Sequence, residues 1–179
     1  FVETDEIGGG IARDPVSGVI YVTDTATHDI KLFRADGTYV ETLGARGLGW
    51  GEFNFPTFLA FRDNKLVVSD TLNFRVQILG SNGEGRLVFG RLGLFVGNTT
   101  RPKGVAIGDD GRIYVVESYF DHLLIFDEQG EFLLPIGGTG AGIGEFYLPS
   151  GVWTDSEHRV YVADMFNGRI SIFKELTHD

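Results

Sequence analysis

An acid closes a run of apolar residues four times in this chain, as Asp24, Asp70, Glu117 and Asp164, in steps of 46, 47 and 47 residues. Nine residues after each acid stands a bulky apolar side chain, Phe33, Leu79, Phe126 or Phe173. Gly44, Gly90 and Gly137 keep the same register, and so do Pro56, Pro102 and Pro149. Such coincidence defines a tandem array of one supersecondary unit. A unit of this size buries its apolar faces only against its neighbours, so the array must stack.

Within a unit, a first strand follows the proline: FLAF at 58–61, GVAI at 104–107, GVWT at 151–154. A Gly- or Asn-bearing turn comes next, RDPVSG at 13–18, RDNK at 62–65 or GDDGR at 108–112. The second strand is VIYVTD, LVVSD, IYVVE or VYVAD, apolar on both faces and therefore covered on both. The third, IKLF, VQIL, LLIF or ISIF, is closer to alternation. After a turn (ADG at 35–37, SNG at 81–83, EQG at 128–130) comes a more polar fourth strand such as TYVETL at 38–43. The 26 glycines suit many tight turns. Four short strands of falling burial predict an all-β chain of four-stranded antiparallel blades, a β-propeller.

The phrasing of two units also resembles the NHL repeat, whose pattern is G-E-F…P…D-x-x-N-x-R-[IV]-x-[IVL]. These are GEFNFPTFLAFRDNKLVVSDTLNFRVQIL at 51–79 and GEFYLPSGVWTDSEHRVYVADMFNGRISIF at 144–173. The other two keep the frame and depart from the motif, with DTATHDIKLF in the first and ESYFDHLLIF in the third. The resemblance implies a six-bladed ring, whereas the repeats here, at approximately 8–50, 51–97, 98–144 and 145–176, make just under four. The expectation is a portion of a six-bladed ring, with 1–7 as the rim strand of a preceding blade. The alternative is a closed four-bladed ring in which FVET (1–4), a counterpart of YVET (39–42), completes the last blade. An open arc would leave two apolar faces to water. NHL-like propellers include protein-binding, RNA-binding, sensor and enzyme domains, so the resemblance carries fold rather than activity.

With no cysteine, the chain has no disulfide, thiolate metal site or cysteine nucleophile. No apolar run is long enough to span a membrane, and no leader-like segment stands at the start, which is Phe1 and reads as a processed or partial chain. The net charge of −10 argues against non-specific binding of nucleic acid. An extracytoplasmic location is expected from the likeness to cysteine-free exported bacterial NHL propellers.

In such propellers the loops between second and third strands share a face with the loops between blades. That face would carry Trp50, Phe74, Arg75, Tyr119, Phe120 and Arg169 as candidate binding residues, since aromatic rings and arginines dominate protein-recognition hot spots. Phe53 and Phe146, within the repeated G-E-F, read as wedges between blades. Asp70, Asn73 and Arg75, like Asp164, Asn167 and Arg169, recur with the repeat and so are expected to hold it together. His28, Asp29, Asp121 and His122 are the candidate metal or acid–base residues, but they fall on non-adjacent units, too far apart to share an ion. No HExxH, Ser-His-Asp set or nucleophile elbow is present, and GGTGAGIGEF (137–146) lacks the lysine and helix of a phosphate loop. The expected function is a non-catalytic, cofactor-free, protein-binding scaffold. An NHL-type metal-dependent lyase or hydrolase and an RNA-binding NHL domain are the alternatives that the resemblance raises.

Overall fold

Short apolar runs become strands here because each is bounded by a turn that its own residues stabilise. In a computed structural model, the structure describes residues 8–174; the FVET segment lies outside them. Gly37, Gly83 and Gly130 hold φ of 87°, 81° and 78° in the turns before the outer strands, a region costly for residues with a Cβ. Asp36 and Asn82 close two of these turns by accepting the N–H of the residue two positions on.

Fifteen strands are described. The first sheet contains β1 (Gly8–Arg13), β2 (Ile20–Asp24), β3 (Asp29–Phe33) and β4 (Tyr39–Leu43). The second contains β5 (Pro56–Arg62), β6 (Lys65–Asp70), β7 (Arg75–Gly80) and β8 (Gly85–Phe89). The third contains β9 (Pro102–Ile107), β10 (Ile113–Glu117), β11 (His122–Phe126) and β12 (Phe132–Gly137). The fourth contains β13 (Pro149–Thr154), β14 (Arg159–Asp164) and β15 (Arg169–Lys174). Every sheet is an antiparallel meander in chain order. No described helix is long and apolar enough to cross a membrane.

The innermost strands pack in sequence, β1 on β5, β5 on β9, and β9 on β13. All four line one central channel of 430 Å³. Small residues allow the approach: a Cβ on Gly104 would stand 2.7 Å from the Gly151 Cα. Three apolar clusters fill the spaces between successive sheets. Strand alternation divides each sheet between two of them. Val115 and Leu124 face the second sheet, whereas Val116 and Leu123 face the fourth.

The arc is open. β13 is not packed on β1 as the other inner strands are packed on one another. Trp153, Ile170 and Ile172 are 62%, 60% and 58% exposed, whereas Ala106, Leu123 and Ile125, one repeat earlier, are 4%, 0% and 7% exposed. The apolar residue types of an inter-blade face are therefore retained where the described chain places no blade. The third strands β3, β7 and β11 depart from the alternation read in the sequence, whereas β15 keeps it. Gln77 of β7 is fully buried because its amide donates to the Glu52 carbonyl and to Asp70. A polar side chain can lie inside when the backbone and an acid supply its partners.

Candidate functional site

The repeated acid is a structural hub. Asp70 accepts the Asn54 N–H at 2.7 Å, the Asn73 amide at 2.8 Å and the Arg75 Nε at 2.7 Å. Arg75 then donates to the carbonyls of Leu48, Gly49 and Glu52, locking the linker that enters its own blade. The fourth blade repeats the arrangement: Asp164 takes Tyr147 N–H, Asn167 and Arg169, and Arg169 holds the carbonyls of Ala141, Gly142 and Glu145. Burial works to raise the Asp164 carboxyl, but these hydrogen bonds outweigh it and hold the group below the ordinary Asp value. In the third blade Glu117 serves instead, accepting the N–H groups of Arg101, Tyr119 and Phe120.

The histidine and aspartate candidates take a different structural part. His28 and Asp121 occupy one repeat position, both at left-handed φ (62° and 57°). His28 Nδ1 accepts the Phe55 N–H, and Asp121 accepts the Leu148 N–H and the Thr139 hydroxyl. Each side chain thus grips the linker entering the next blade. Asp29 pairs with Lys31 at 2.8 Å and leaves its Oδ1 buried without a partner. His122 lies opposite Glu117 in the β10–β11 register. Among the described residues, no group of three or more His, Asp or Glu could hold a metal ion.

The loops between second and third strands do meet the inter-blade linkers on one face. The N–H groups of Leu72, Ser118 and Phe166 donate to the carbonyls of Asn54, Arg101 and Tyr147. At one position per repeat this face carries Ala26, Leu72, Tyr119 and Phe166, and the last three are 48%, 56% and 60% exposed. Tyr119 packs edge-on against Phe120 at 4.8 Å, and Tyr147 lies tilted on Phe166 at 5.3 Å.

Known proteins agree with this architecture. A family model described as a 6-bladed beta-propeller (DUF5128) matches residues 99–175, less than half of the chain. The protein is a β-propeller. The Drosophila melanogaster protein brain tumor is 28% identical over 122 residues, which are 66% of this chain and 11% of that protein. A streptogramin B lyase structure superposes with a TM-score of 0.67 at 17% identity, covering 99% of this chain and 58% of that one. A Bacteroides thetaiotaomicron protein of unknown function gives 0.72 at 17% identity, over 94% of this chain and 48% of that one. The propeller thus spans a minor part of brain tumor and about half of each structural neighbour, and at these identities the structures show fold alone.

The propeller distributes the candidate binding residues unequally. Tyr119 and Phe120 stand on the loop face. Phe74 is at the tip of its loop with φ of 57°, its carbonyl accepting the Thr99 hydroxyl. Arg75 and Arg169 each give their guanidinium to four acceptors within the fold. Trp50 leaves the loop face too: its indole covers Gly85, where β8 begins, at the far end of β7 from Arg75. Tyr147 and Leu72 were not among the sequence candidates. The 47-residue step from Leu72 to Tyr119 to Phe166 was the available signal, since one repeat position carries bulky apolar residues on a loop.

Proposed function

We propose that this propeller is a non-catalytic protein-binding scaffold whose loop face receives the partner. The observation that carries the reading is the row Leu72, Tyr119 and Phe166, solvent-exposed at one repeat position where the hydrogen bonds of the fold need only backbone. Phe120 and Tyr147 widen it to two aromatic pairs. Rigid aromatic groups on a closely bonded frame bury large area at low entropic cost, which favours their use as interface anchors.

The test compares wild type with a Tyr119→Ala, Phe166→Ala double variant as bait, then repeats the comparison with each purified prey. A prey that wild type binds, and that the double variant binds about tenfold or more weakly at unchanged thermal stability, supports the reading. Equal binding of every such prey by both baits would overturn it.

A further inference from the structure

An asparagine side chain can be attacked by the amide nitrogen of the next residue, and the attack is least hindered where that residue is glycine, which has no Cβ. Asn82 before Gly83 and Asn167 before Gly168 meet this condition. The fold treats the two differently. Asn167 is half-buried, and its amide nitrogen donates to the Gly140 carbonyl at 2.9 Å and to Asp164 at 2.8 Å within the hub of the fourth blade. Asn82 stands exposed in the β7–β8 turn, where its side-chain oxygen accepts the Glu84 N–H at 3.1 Å. Arg86 approaches the same oxygen: a Cβ on Gly80 would stand 2.8 Å from Asn82 Oδ1 and 3.0 Å from Arg86 Nη2.

An N–H and a guanidinium beside Oδ1 make Asn82 Cγ more electrophilic and favour the oxyanion that attack creates there. Attack is opposed by the bond from the Gly83 N–H to the Gly80 carbonyl, at 2.9 Å. That bond lies in an exposed turn, where water competes for both groups.

We infer that Asn82 is a site of spontaneous deamidation through a cyclic imide, from which the fold protects Asn167. The Gly83 nitrogen loses its proton and bonds to Asn82 Cγ; the Cγ–Nδ2 bond breaks, and ammonia leaves carrying a proton. Water then opens the ring at either carbonyl, giving aspartate or isoaspartate, with no oxidation or reduction. Aspartate fits the turn, because Asp36 at the same position of the first blade accepts the Thr38 N–H at 2.9 Å as Asn82 accepts that of Glu84. Isoaspartate runs the main chain through Cβ and lengthens the turn by one atom. The flanking residues hold the first blade: the Ser81 carbonyl accepts the Tyr21 hydroxyl, and Leu43 lies 3.1 Å from where a Cβ on Gly83 would be. The isoaspartyl form therefore loosens the contact between the first two blades.

The test holds the whole chain at mildly alkaline pH and body temperature, folded or in urea, and maps its peptides by mass spectrometry over time. In the folded protein the Asn82 peptide is expected to gain one mass unit, as a mixture of aspartyl and isoaspartyl forms, with Asn167 about tenfold or more slower. In urea Asn167 loses that protection and reacts at a rate similar to Asn82. Asn82→Gln abolishes the gain, and aged wild type melts below fresh Asn82→Asp protein. No gain at Asn82 in the folded protein, an equal rate at Asn167 there, or aspartate without its isomer would overturn the assignment. Aged protein as stable as Asn82→Asp would overturn the loosening of the blade contact.

Discussion

The guanidinium Nε of Arg75 donates to Asp70 Oδ2 at 2.7 Å, and the rest of the same guanidinium holds three carbonyls of the incoming linker. Asp70 is fully buried and Arg75 is nearly so. Removing the arginine strands a carboxylate in the interior, which typically costs about 3–5 kcal/mol. Arg75→Ala is therefore expected to lower the urea midpoint sharply. Arg169→Ala, at a site about a third exposed to screening solvent, is expected to cost less, about 1–3 kcal/mol. The exposed Arg46→Ala control should change stability by less than about 0.5 kcal/mol.

Phe53 and Phe146 are completely buried against neighbouring sheets. Truncation to alanine leaves a ring-sized cavity between blades that cannot collapse, because glycine already brings the chain into contact: a Cβ on Gly44 would stand 2.5 Å from the Phe53 ring. Each variant is expected to lose about 3–5 kcal/mol in equilibrium denaturation. Thr99, which occupies the wedge position of the third blade, anchors the Phe74 carbonyl by its hydroxyl. Thr99→Val is expected to cost only about 1 kcal/mol, that of one hydrogen bond.

Asp155 and Asp164 are two of the carboxyls held below their ordinary value in the fold. At Asp155 burial acts to raise the carboxyl, but the Arg159 N–H and side chain, the Tyr161 hydroxyl and the Glu157 N–H together prevail and lower it strongly. Asp164 is lowered by the analogous contest. A depressed folded-state pKa means that the unfolded chain takes up protons first as pH falls. The stabilisation is complete above about pH 4, the unfolded Asp value, and drains away as pH drops through the folded values. Thermal melts from pH 7 to pH 2 should show that decline. Asp155→Asn is expected to be less stable at pH 7, with its deficit shrinking towards pH 2. A constant deficit would refute the assignment.

Ile170 and Leu123 occupy one repeat position, yet Ile170 faces solvent and Leu123 lies between blades. Ile170→Thr together with Ile172→Thr is expected to leave the melting temperature little changed and to reduce concentration-dependent association in sedimentation velocity, since it removes a contiguous apolar patch. Leu123→Thr buries a hydroxyl among apolar groups and is expected to destabilise the fold by about 2–4 kcal/mol.

Much of this was legible from periodicity. The step of 46 or 47 residues located the blades, the wedges Phe53 and Phe146, and the Asp–Asn–Arg sets as parts of the frame, because residues that recur at one repeat position in the second and fourth blades serve what those blades share. Strand order followed as well, since a meander needs only short turns. What spacing could not convey was direction. A linker residue can look to the loop face or fold down over an outer strand, and Trp50 takes the second course because Gly85 leaves room for an indole. His28 and Asp121, chemically apt for metal, are spent on linker N–H groups twenty-seven residues away.

The residue types alone determined a stack of antiparallel sheets about a common axis, because no single unit could bury its own apolar faces. Only the tertiary arrangement decided which of those faces is closed and which polar groups remain available. Burial and hydrogen-bond satisfaction are set by partners distant in the chain. Thus Leu123 and Ile170, alike in sequence, part company where one blade has a neighbour and the next, among the described residues, has none.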